Sequence, residues 1–236
     1  LSVFLDEAGF FRYLAAAVLR HAGASQKKLF FLLYLAVSAL TVFTSNDIIV
    51  LTFTPFLCYF AKNAEIDPLP YLFCEFVAAN TWSMALMIGN PTNIYLSAAR
   101  VDFFGYLRLM WLPTLLAGVV SFALLLLLFG RKLRAPIVGS PPEKTEMDRP
   151  SVALGLTALF SCVALLSLSS FLGLPMWRIA LFCFFGLYLA VAAELLWRRR
   201  GLALLRRSLL RTPLDTAPFV LSMFLLVLAL HRAGVT

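Results

Sequence analysis

Long stretches of this chain carry no charged residue, among them Leu29–Asn46, Phe76–Ala99, Leu109–Gly130, Ser151–Trp177 and Ile179–Ala193. A helix needs about 20 apolar residues to cross roughly 30 Å of hydrocarbon, and several of these blocks qualify. Composition agrees, with 61% hydrophobic and 14% charged residues, where soluble domains average about 45–50% and 25%. The sequence therefore predicts an all-α, polytopic helical membrane protein in contact with the lipid bilayer.

The net charge of +8 does not point to nucleic acid, because the positive residues cluster in short segments between the apolar blocks, as the positive-inside rule expects. Those segments also set the topology. Two apolar arms, Leu29–Phe43 and Ile48–Phe60, flank the polar tetrad Thr44-Ser45-Asn46-Asp47. At 1.5 Å per residue each arm reaches only about 20 Å, so the pair is either one kinked span or a re-entrant hairpin. The hairpin puts sixteen Lys/Arg on one side and four on the other, whereas the single span gives twelve and eight. Orientation follows that asymmetry, so the hairpin is expected, with its basic side cytoplasmic.

Around the hairpin, Arg12–Lys28 reads as one amphipathic basic helix lying in the interface. Pro70–Ala99 crosses outward, and Leu109–Gly130 returns. Residues 131–150 form a Pro-rich charged cytoplasmic linker between a first repeat part, 1–130, and the start of a second repeat, 151–236. Ser151–Leu172 and Met176–Trp197 make a simple helical pair with Trp177 and Trp197 as belt residues. Ala217–Leu230 begins a further span. "LSVFL" at Leu1–Leu5 recurs as "LSMFL" at Leu221–Leu225, in segments that run oppositely under this topology, as inverted repeats do. The chain starts without methionine and stops just after an apolar run, which reads as a piece of a longer transporter-like protein. Cys58, Cys74, Cys162 and Cys183 each sit alone in apolar sequence, so buried free thiols are expected rather than disulfides or metal sites.

Chemistry concentrates where the apolar runs break. Irregular backbone at membrane depth is tolerated only when buried in protein or lining a wet cavity, and discontinuous helices are how many secondary transporters build solute and ion sites. At Gly89-Asn90-Pro91-Thr92-Asn93, Asn90 can cap the following half-helix and Pro91 at its first position costs no hydrogen bond. The helix N-terminus then faces an anion or polar oxygen. Gly89 would let backbone approach the solute, and Thr92 and Asn93 add donors and acceptors. At the other break Thr44, Ser45 or Asn46 can cap the returning arm. Asp47, an acid at membrane depth, is a functional residue by default, ligating Na⁺ with carbonyl oxygens or carrying a proton; the alternative is a structural cap. Asn80 and Thr81 can line the approach to Asn90. Glu75 is a gate or relay residue, or equally an interfacial acid paired with Lys62. Thr52 and Thr54-Pro55 bend the second arm. His21 and His231 lie near membrane edges, and no HExxH or Ser/His/Asp pattern supports an enzyme.

"TSNDIIVLTFTPF" and, some thirty residues on, "NTWSMALMIGNPTNI" resemble the ion transporter superfamily: arsenite permeases, citrate and other divalent-anion transporters, and related Na⁺/H⁺ antiporters. The resemblance extends over Leu1 to Leu128 and continues beyond only as hydrophobic pattern. It implies two inverted repeats, each with a re-entrant hairpin and a broken helix, usually in a homodimer at full length. It matches Ser45, Asn46 and Asp47 to the hairpin tip and Gly89 to Asn93 to the broken helix. Divalent-anion symporters usually carry Ser-Asn-Thr at the tip; Asp47 in the third place would repel a dicarboxylate, which favours the arsenite-permease and antiporter branches. The second hairpin and second broken helix are absent, so half a site is expected here. The expected function is secondary active transport of a small inorganic or organic anion or oxyacid across the cell (inner) membrane by alternating access. Transport would be coupled by symport or antiport to Na⁺, held by Asn46, Asp47 and Asn93, or to H⁺, with no other cofactor. A non-transporting membrane scaffold is the contrasting reading, and it has no use for broken helices.

Overall fold

In the computed structural model the described residues are 1–90, 92–93, 102–137, 147–169, 173–199 and 201–212, with eight further positions between 218 and 232. Among them the helices are α1 (Ser2–Glu7), α2 (Phe10–Ala22), α3 (Gln26–Phe43), α4 (Asn46–Asn63), α5 (Leu69–Trp82), α6 (Phe103–Phe129), α7 (Arg149–Ser167), α8 (Met176–Trp197) and α9 (Ala203–Leu210). No strand occurs among the described residues, which leaves an all-α polytopic fold. Helices α3, α6, α7 and α8 are long and apolar enough to cross a membrane. Their outer faces are bare hydrocarbon, with Phe182, Leu189 and Leu127 at least 70% exposed. Apolar patches of that kind mark contact with something other than water, here lipid. Trp177 and Trp197 stand exposed at the two ends of α8, where belt residues belong.

Side-chain pairs fix the directions of the first helices. Gln26 accepts from Tyr71, the Phe30 carbonyl meets Cys74 Sγ, and Tyr34 meets Trp82, so α3 runs parallel to α5. Asn46 meets Asn80 and Thr54 meets Glu75, so α4 runs antiparallel to α5. It follows that α3 and α4 form an antiparallel hairpin, and that Lys27, Lys28 and Lys62 emerge at one end of the helix pack. Helix α6 packs back along α5 and α3, with Phe129 against Phe73 and Phe122 against Phe30 and Tyr34.

The structure corrects several expectations. Each hairpin arm has 18 residues, about 27 Å at 1.5 Å per residue. Polar ends Gln26-Lys27-Lys28 and Lys62-Asn63 are wound into the helices, because lysine stems bury while their heads stay wet. Residues Arg12–Lys28 are two elements, not one: Gly23, at φ 60°, stops α2, and Ser25 starts α3 by accepting from the Lys28 N–H. The apolar face of α2, with Phe11, Ala15 and Leu19 buried, joins the core of α3 and α4 instead of resting on lipid alone. Within the supposed linker, Leu133 is buried, the Ile137 N–H donates to Ala24, and Lys132 pairs with Asp67 at 2.8 Å. That ammonium and the Leu69 N–H hold the Asp67 carboxyl below the usual carboxylate range. Residues 138–146 lie outside the described residues. All four cysteines are free, but Cys58 is exposed.

The later helices close over the first. Helices α7 and α8 pack on each other, and Phe4 and Leu5 of α1 lie so close to Gly155 of α7 that a β-carbon there would press on both. Arg211, after α9, reaches Glu7 at 2.6 Å and Asp6 at 3.4 Å, tying the start of the chain to its far part. The expected span Ala217–Leu230 and the "LSMFL" repeat fall largely outside the described residues.

Candidate functional site

The hairpin tip is built from two extended residues. Thr44 and Ser45 have φ/ψ of −129°/176° and −76°/137°, which ends α3 and starts α4. Thr44 spends its N–H and its hydroxyl on the Leu40 carbonyl, so it closes α3 and offers nothing outward. Ser45 holds the N-cap place without a side-chain hydrogen bond to the helix. Asn46 and Asp47 are the first residues of α4, and Asp47 is exposed at the positive end of the helix dipole.

Asn46 joins the tip to the broken helix. Its Nδ2 donates to Asn80 Oδ1 at 3.2 Å, and Asn80 Nδ2 donates to the Phe76 carbonyl at 2.8 Å. The second bond fixes which way the Asn80 amide points, and hence which way Asn46 points. Asn46 Oδ1 is left buried with no partner among the described residues. Such an acceptor normally finds a donor. Thr81 is half-buried on the last turn of α5.

The break itself is longer than the motif that announced it. Helix α5 stops at Trp82, Leu86 is extended, Met87–Gly89 form one 3₁₀ turn, and Asn90 is extended again. Gly89 is buried against the Ser83 carbonyl, which a β-carbon would strike. Its missing side chain is therefore used for the chain's own close packing, and the space expected for solute is filled. Asn90 Oδ1 accepts from the Asn93 N–H at 2.9 Å, the bond expected of a capping asparagine. Pro91 lies outside the described residues, and Thr92 is exposed.

The asparagines turn inward. Asn90 Nδ2 donates to Ser83 Oγ at 3.1 Å, and Asn93 Nδ2 donates to the carbonyls of Ser83 and Leu86 at 2.8 and 3.0 Å. Ser83 Oγ in turn donates to the Asn80 carbonyl. Asn46, Asn80, Ser83, Asn90 and Asn93 thus make one polar chain from the tip through the break. The direct link between the two motifs is Asn46 to Asn80; the bonds seen for Asn90 and Asn93 go to the break. Val42 of α3 shares an apolar cluster with Leu86 and Ile88, which seats the tip against the break.

One residue of the site has no place in the sequence expectations, and another has a different partner from the one expected. Ser83 is the hub, and its only sign was a small polar residue seven places before Asn90. Glu75 is 1% exposed and accepts from the Thr54 hydroxyl at 3.1 and 3.2 Å, so its partner is Thr54 and not Lys62. Among the described residues no group of His, Cys, Asp and Glu could hold a metal ion.

The model of the citrate transporter family matches residues 1–236. The chain belongs to the citrate transporter family. The match runs the full length, well beyond the first 128 residues that carried the motif resemblance. The arsenical pump membrane protein of Escherichia coli is 28% identical over 254 residues, covering all of this chain and 55% of that protein. A putative arsenical pump membrane protein of Bacillus subtilis is 28% identical over 137 residues, covering 56% of this chain and 31% of that one. A putative transporter of Dictyostelium discoideum is 29% identical over 98 residues, covering 41% and 17%. The chain spans about half the length of the curated relatives it matches in full. Family and apolar helices together make this a multi-pass membrane protein of a transporter family, not an enzyme.

Proposed function

We propose that this citrate transporter family chain forms half of a secondary active transporter that moves a small oxyacid by alternating access, coupled to a cation or a proton. The observation that carries the reading is Asn46 Oδ1, a buried acceptor without a partner among the described residues, beside the exposed carboxylate of Asp47. Both groups accept hydrogen bonds and neither donates one. A solute rich in O–H donors satisfies them, and a dicarboxylate does not. Arsenite, which is mostly neutral As(OH)₃ at pH 7, fits that demand; so does Na⁺ as a co-ligand. The relatives named as arsenical pumps lean the same way.

Helix lengths favour a re-entrant tip. Gly118 of α6 lies beside Tyr34 of α3. Fifteen residues separate Phe103 from Gly118, and nine separate Tyr34 from Phe43. At 1.5 Å per residue, α6 therefore reaches about 9 Å past the tip, which supports a tip, with Asn46 and Asp47, that stops short of the far side of the bilayer. A second half-site and a homodimer belong to the full-length protein on this reading.

The test is flux in vesicles holding the full-length protein. Wild type should move arsenite and not citrate. Asp47→Asn should cut arsenite kcat/KM about tenfold or more, since a hydrogen bond to a charged acceptor is worth about 1.5–3 kcal/mol. Folding should be little changed, because a first-turn carboxylate contributes only about 0.3–1 kcal/mol. Citrate flux, or an Asp47→Asn variant that transports arsenite normally, contradicts the reading.

A further inference from the structure

We propose that Glu75 is the proton-binding group that couples this transporter, taking a proton from water on one side of the membrane and returning it to water on the other. The inference rests on the transporter reading above and adds the residue that carries the proton. Glu75 lies on α5 against α4, between the broken helix and the returning arm of the hairpin. It is five residues before Asn80, about a turn and a half, and so sits just below the tip contact.

Glu75 is 1% exposed and has no compensating charge beside it among the described residues. The titratable residues of α5 and of the helices packed on it are Lys27, Lys28 and Tyr34 on α3, Asp47, Cys58, Tyr59 and Lys62 on α4, Tyr71 and Cys74 on α5, and Tyr106 and Arg108 on α6. The charged ones, Lys27, Lys28, Asp47, Lys62 and Arg108, are all exposed, near helix ends. Tyr71 donates to Gln26, Tyr34 to Gly118, and Cys74 to the Phe30 carbonyl. Among the described residues Glu75 is in no ion pair, and Thr54 supplies its hydrogen bond.

A hydroxyl has one proton, so Thr54 can donate to one carboxylate oxygen at a time. A buried carboxylate with that single donor is costly, and breaking its isolation with water or a cation relieves the cost. A protonated Glu75 is a neutral donor and acceptor that sits quietly against Thr54. The next residue, Pro55, lies inside α4 and withholds the N–H that would hold the Leu51 carbonyl. That arm is weakest where the acid presses on it. Protonation therefore closes α4 on α5 below the tip, and ionisation parts them.

The experiment uses full-length protein in proteoliposomes, with net solute flux driven by a pH gradient and solute exchange measured at equal pH. Glu75→Gln, a neutral mimic of the acid, should keep exchange while gradient-driven flux falls at least tenfold. Thr54→Val removes the donor to the ionised form, so the midpoint of the flux–pH profile should move up by about one pH unit, the loss expected of one charge-assisted hydrogen bond. A Glu75→Gln protein that still responds fully to the gradient overturns the proposal, as does wild-type flux driven by Na⁺ and indifferent to pH. If Glu75→Gln does not fold, an unshifted profile for Thr54→Val overturns it and a shifted one supports it. Absence of any flux in folded wild type contradicts the transporter reading itself.

Discussion

Asn93 spends both protons of its amide on carbonyls of the break, that of Ser83, where α5 stops, and that of Leu86, which also accepts from the Gly89 N–H. Ser83 and Leu86 are both buried, and an unmet buried group costs about 1–3 kcal/mol. Asn93→Ala leaves the Ser83 carbonyl unmet and should lower the stability of the full-length protein by about 1–3 kcal/mol, read as a fall in its thermal midpoint in detergent. Asn93→Asp should be worse, since it sets a carboxylate against two carbonyl oxygens. An unchanged midpoint for either would show that the break is held some other way. The identity of the polar residues at the two breaks was legible because nothing else explains Asn and Asp in uncharged hydrophobic sequence. Their partners were not. An asparagine can face solute or mend its own backbone, and only the position of Ser83 decides that Asn90 and Asn93 do the second. Gly89 carries the same lesson, since glycine admits a close neighbour without saying which one.

At the scale of elements, the contact between α5 and α6 turns on a glycine. A β-carbon at Gly118 would come within 2.6 Å of the Trp82 ring, whose Nε1 donates to the Tyr34 hydroxyl, which in turn donates to the Gly118 carbonyl at 2.7 Å. Gly118→Leu should push Trp82 off this network and cost about 1–3 kcal/mol as overpacking. The check is the same thermal midpoint, with Ser121→Ala as the mild control on the same face. Equal midpoints for Gly118→Leu and wild type would mean the helices sit farther apart. The spans of α6 and α8 were legible from apolar length alone. The division of Arg12–Lys28 was not, because amphipathic periodicity runs straight through Gly23 and only its backbone shows the turn. The arms of the hairpin came out too short for a related reason: lysines at helix ends count as charge in a sequence but behave as helix.

At the scale of the molecule, the chain is a family member about half as long as the relatives it matches in full, folded so that the hairpin of α3 and α4 meets the break after α5. Charge asymmetry anticipated the hairpin, because sixteen basic residues fall on one side only if α4 returns. Contacts across the sequence, Gln26 with Tyr71 and Asn46 with Asn80, were beyond its reach, and they are what fix the helix directions. A site at the hairpin tip requires that return. The measurement is the sidedness of Lys28→Cys and Lys62→Cys in the full-length protein, each made in a background where Cys58, the exposed thiol, is serine. A membrane-impermeant maleimide should label both positions from the cytoplasmic face and neither from the other. Labelling of the two from opposite faces would make α3 and α4 a single kinked span and take the hairpin tip out of the site.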